Sequence, residues 1–161
     1  MLPTTQRKTI DYDAIYTGLM ETVELYSNED IKRCRCNEIQ ALKEFRTIGL
    51  TAPRQCGKTQ WIIDKLNQDP NTSILFRNNP AYQIAKHQLV NVDESRIFTP
   101  YDVIKAKVAI ADGSVDYEVV KTKIIFVDDA FYTIDYIGRD VFYKWLAASP
   151  AAKDLIIVMV G

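Results

Sequence analysis

Leu155-Ile156-Ile157-Val158-Met159-Val160 is an unbroken apolar run near the end of the chain. A short run with no polar alternation reads as a strand covered on both faces. Lys123-Ile124-Ile125-Phe126-Val127 is a second strand of this kind, β-branched and ending at two aspartates. Such strands, set among segments of helical periodicity, predict a parallel sheet with helices on both sides. The fold class expected is therefore α/β, a three-layer sandwich with a mainly parallel sheet, preceded by two helices. At 161 residues, 47% hydrophobic and 25% charged, the chain fits one domain with a sizeable core.

The rest of the chain supplies the other elements. Residues 1–10 are polar and read as a loosely held N-terminus. Ile15, Leu19 and Val23, with Tyr16 and Met20, recur three to four apart and predict a helix over 11–26. Ser27-Asn28-Glu29-Asp30 can cap a second helix running to Phe45, which completes a helical part over 11–46. In the α/β core over 47–161, strands are expected over 47–51, 72–76 and 95–98, and helices over 58–66, 79–89, 99–107 and 140–147. Ala111-Asp112-Gly113-Ser114 reads as a turn that could join a β-hairpin. The chain stops at Gly161 directly after its most apolar strand, and further elements are expected beyond it.

The segment richest in chemistry is Ala52-Pro53-Arg54-Gln55-Cys56-Gly57-Lys58-Thr59. It lies between a predicted strand and a predicted helix, the setting a phosphate-binding loop requires. Backbone N–H groups of such a loop curl around a β-phosphate, with Gly57 allowing close approach and the helix N-terminus adding partial positive charge. Lys58 supplies a point charge for the β- and γ-phosphates, and Thr59 a hydroxyl for magnesium. The usual pattern begins with Gly, where this chain has Ala52. The chemistry expected is ATP with magnesium. No Asn-Lys-x-Asp guanine motif is evident.

The acidic strand end completes the pattern. Ligands in open α/β sheets bind at the carboxyl ends of the strands. Asp128 is placed to hold magnesium, and Asp129 to act as general base toward an attacking water. Helix capping is the alternative for both aspartates. Many ATPases carry Glu where this chain has Asp129, which reaches one methylene less far, so slow turnover stays open.

These residues resemble the additional-strand branch of P-loop ATPases, in which a strand is inserted between the phosphate-loop strand and the acidic strand. Leu155–Val160 looks like that inserted strand. Within the branch, residues 40–161 look like the ATPase domain of the large terminase subunit, the DNA-packaging motor of tailed phages. The likeness rests on Arg54-Gln55-Cys56-Gly57-Lys58-Thr59 and on Asp128-Asp129-Ala130-Phe131. It implies ATP hydrolysis coupled to movement of double-stranded DNA, a homo-oligomer or other motor subunits as partners, and a host cytoplasm as location. It also implies that Arg54 senses or stabilises the γ-phosphate and that Gln40 contacts adenine. The terminase nuclease domain has no counterpart here. Related loops occur in AAA-type ATPases, so an AAA-type or helicase-like ATPase stays open, as does a nucleotide-dependent binding module with little turnover.

The remaining features are blander. With 20 Lys and Arg against 21 Asp and Glu, the formal charge is −1, and no whole-chain basic field exists. Cys34 and Cys36 lack the further ligands that zinc needs, and His87 is the only histidine. These two cysteines read as lying on a polar helix. Lys32, Arg33 and Arg35 read as a solvated face. Phe131, Tyr132 and Tyr136 suit core and lid packing, with base stacking as the alternative. No signal peptide and no span-length apolar segment is evident, and a reducing, cytosol-like compartment is the default.

Overall fold

The computed structural model describes residues 10–53 and 56–161. The segment expected to be loosely held, 1–10, thus lies outside the described residues except for Ile10. Three helices come first: α1 (Tyr12–Glu24), α2 (Asn28–Arg33) and α3 (Glu38–Phe45). Five strands follow, β1 (Thr47–Leu50), β2 (Thr72–Leu75), β3 (Ile97–Phe98), β4 (Ile124–Asp128) and β5 (Ile156–Val160). The connecting helices are α4 (Lys58–Gln68), α5 (Asn79–Ala85), α6 (Pro100–Ala111), α7 (Ala130–Ile137) and α8 (Arg139–Ala147).

All the pairings are parallel, and the sheet order is β1-β5-β4-β2-β3. β5 therefore sits between β1 and β4, with Ile48 beside Val158 and Phe126 on its other side. The period-two geometry of the strands sorts their side chains onto two faces. Leu75, Ile125, Val127 and Ile157 pack with α3, α6, α7 and α8. Ile48, Leu50, Ile74, Phe126, Val158 and Val160 pack with α1, α4 and α5. An all-parallel sheet with helices on both faces is what the continuous apolar strands predict. Among the described residues no helix is long and apolar enough to cross a membrane.

The structure departs from the sequence reading in several places; the strand expected over 95–98 is only Ile97–Phe98, and the helix expected over 79–89 ends at Ala85. The helix expected up to Phe45 is two helices, broken where Arg35 takes φ 54°. Asn37 restarts it, because its side chain accepts from the Gln40 N–H at 2.9 Å while Gln40 Oε1 accepts from the Asn37 N–H at 3.0 Å. Cys34 and Cys36 thus sit at this break rather than within a helix. No hairpin follows Ala111: α6 runs through to it, and Tyr117 and Val120 pack into the core without joining the sheet. The aromatic stretch after Asp129 forms α7, whose Ala130, Thr133 and Ile137 face inward.

Candidate functional site

Gly57 has φ 79° and stands at the N-cap of α4, with no side-chain cap hydrogen bond among the described residues. A Cβ at Gly57 would meet nothing within 4 Å, so its backbone angle, not crowding, is what calls for glycine there. The start of the 52–59 loop is tied to Gly161, the residue that follows β5. The Ala52 N–H donates to the Gly161 carbonyl at 2.9 Å, and the Gly161 N–H donates to the Leu50 carbonyl at 3.0 Å. Its far side is tied to α1, where the Tyr12 hydroxyl donates to the Cys56 carbonyl at 2.7 Å. Tyr12 and Tyr16 flank Trp61 of α4, with ring centres 5.7 and 5.5 Å away, so α1 braces the loop and the helix it opens.

Inside the loop, Lys58 Nζ donates to the Ala52 carbonyl at 2.6 Å. The ammonium thus curls back across the loop. Thr59 Oγ1 donates to Asp128 Oδ1 at 3.0 Å. This bond joins the first turn of α4 to the end of β4, two strands away in the sheet from β1. Asp128 is only 6% exposed, and burial pushes its carboxyl above the usual carboxylate range. The hydrogen bond from Thr59 opposes that rise, and the neighbouring Asp129 charge adds to it.

Asp129 has φ 47°, in the left-handed region that Asp tolerates better than most residues. Its carboxylate makes no capping bond to α7. Instead Asp129 Oδ2 accepts from Arg77 Nη1 at 3.0 Å, with both side chains about half exposed. Arg77 lies just past β2, so three strands contribute polar groups to the carboxyl edge of the sheet. The sequence reading passed over Arg77. Its signal is close to the one that marks Asp128: a charged residue at the carboxyl end of a strand.

The other expected residues fall as follows. Ala52, Pro53, Cys56, Gly57, Lys58 and Thr59 form the described part of the loop, whereas Arg54 and Gln55 lie outside the described residues. Gln40 is exposed on α3, which packs on the sheet face opposite α4, and its amide is engaged with Asn37. It is therefore not brought to the loop. Thr59 and Asp128 are adjacent hard oxygen donors, a fitting set for magnesium, which takes one or two protein ligands and completes its shell with phosphates and water. Among the described residues no group of three or more His, Cys, Asp and Glu side chains is placed to cage a metal ion. A separate open cleft of about 770 Å³ lies over Gly49 of β1 and Met159 of β5, between α7 and the start of α8. That side of the sheet is opposite the one on which α4 packs. Compared with protein-family models, curated proteins and solved structures, the chain matches none.

Proposed function

We propose that this chain binds ATP with magnesium at the 52–59 loop and hydrolyses it, as a P-loop ATPase of the additional-strand branch. The single observation that carries this reading is the 3.0 Å bond from Thr59 to Asp128. The two side chains assigned to magnesium from separate motifs meet, although they are 69 positions apart in sequence. The placement of β5 between β1 and β4 supports the branch.

Each residue then has a task. Phosphate oxygens take the loop N–H groups and the positive end of α4. The Lys58 ammonium exchanges the Ala52 carbonyl for the β- and γ-phosphates. Thr59 and Asp128 hold magnesium, which neutralises charge on the phosphates. Asp129 orients a water and takes its proton as the water oxygen bonds to the γ-phosphorus. The bond from that phosphorus to the bridging oxygen breaks, and ADP leaves with the electron pair. Coupling to DNA movement, in the manner of a terminase motor, rests on the likeness of the loop and of Asp128-Asp129-Ala130-Phe131. A binding module with little turnover is the second reading, favoured by the ion pair that holds Asp129 on Arg77. The test is ATP turnover with magnesium, with and without duplex DNA. Turnover that duplex DNA stimulates supports the motor reading, whereas binding without turnover supports the module.

A further inference from the structure

The tyrosines that α6 and α7 leave in water converge on the side chain that holds Asp129. Tyr101, Tyr132 and Tyr136 are 73%, 50% and 64% exposed. With Arg77 they line an open cleft of about 300 Å³, which also takes in Thr99 and Asn79. Tyr132 and Tyr136 are one helical turn apart and present their rings on one side of α7, while Thr133 and Ile137 serve the core. The Arg77 guanidinium lies 5.5 Å from the centre of the Tyr132 ring and at the same time holds the Asp129 carboxylate. A half-exposed ion pair of this kind is weak and exchanges readily for a stronger anionic partner.

We propose that this cleft takes a segment of single-stranded nucleic acid, with a base against Tyr132 and Tyr136 and the adjoining phosphate on Arg77. That phosphate draws Arg77 off Asp129 and frees the carboxylate for the attacking water. The second step rests on the ATPase reading; the first does not. The chemistry selects the ligand. Flat rings held in water offer stacking faces to any unpaired base. A guanidinium beside them offers its planar fork to a phosphate. A duplex keeps its bases stacked inside and presents no free ring face. The cleft is at the small end of ligand sites, sized for a nucleotide unit rather than a double helix. With a formal charge of −1, the chain has no general field to gather a polyanion, so stacking and one guanidinium carry the contact.

The test is fluorescence anisotropy of a labelled oligothymidylate with no nucleotide present, over a series of salt concentrations. The proteins are the full chain, the Tyr132→Ala/Tyr136→Ala double variant and Arg77→Ala, each checked for unaltered thermal melting. Wild type is expected to bind the strand in preference to a duplex of equal length. Its log affinity should fall against log salt with a slope of about −0.7, the value for one phosphate contact on a single strand. The double variant should bind roughly tenfold more weakly or worse, and Arg77→Ala should flatten the salt dependence. In ATP turnover, the oligonucleotide should stimulate wild type. Arg77→Ala should start from a raised basal rate and gain nothing further from the strand. Equal binding by wild type and the double variant, or preference for the duplex, overturns the site. Stimulation that persists in Arg77→Ala overturns the release of Asp129. If wild type neither binds nor hydrolyses ATP, the phosphate-loop reading fails instead, and the anisotropy still decides the cleft.

Discussion

Asp128→Asn should change how stability depends on pH. Asp128 is buried, and burial raises its carboxyl pKa in the folded chain. The folded state therefore holds this proton more tightly than the unfolded state does. Stability is unaffected by the group while both states are protonated. It falls as pH rises from the unfolded pKa through the folded one, and the full penalty applies above that. Asn removes the charge and with it the penalty. It keeps an acceptor for Thr59 and loses the acceptor that faces the Asp129 N–H, a loss of about 1 kcal/mol. Because Asn carries no charge penalty, the variant gains on wild type as pH rises through this range. The assay is urea unfolding across the acid range into neutral pH, with a chelator present. The stability of the variant minus that of wild type should be slightly negative in acid and climb toward neutral pH. A difference that stays flat with pH would refute the buried, charge-penalised state of Asp128.

Three further perturbations address the loop. Gly57→Ala should destabilise the chain by about 1–2 kcal/mol in urea unfolding, through the left-handed angle rather than any clash. Tyr12→Phe should cost about 1 kcal/mol by removing the bond to the Cys56 carbonyl, and should raise amide exchange across residues 56–59. Arg54→Ala should leave ATP affinity largely in place and lower turnover at saturating ATP by on the order of 10³-fold, the lower end for an arginine that meets transferring phosphate. Turnover within a few-fold of wild type would reject that role.

Much of the fold was legible because apolar continuity is a local signal. Leu155–Val160 and Lys123–Val127 declared buried strands on composition alone, and a parallel sheet follows from such strands. The loop was legible because strand, Gly-Lys-Thr and helix are contiguous. What escaped depends on distance or on competition between local preferences. Gln40 carries no mark of whether it serves a ligand or its own helix, and the reciprocal bonds with Asn37 were the nearer option. α7 was hidden because its exposed aromatics blur the apolar stripe, while its inward positions include the polar Thr133. The partnership of Arg77 with Asp129 spans 52 positions and appears only once β2 and β4 lie side by side.

Calorimetric titration of ATP into wild type and Lys58→Ala, with magnesium and then with chelator, tests nucleotide binding at the 52–59 loop most directly. Wild type should bind ATP, and more tightly when magnesium is present. Removing the ammonium deletes a charge-assisted contact worth about 1.5–3 kcal/mol, so the variant should bind at least about tenfold more weakly while remaining folded. Equal affinity in the two proteins, or no ATP binding by wild type, would contradict the assignment of this loop.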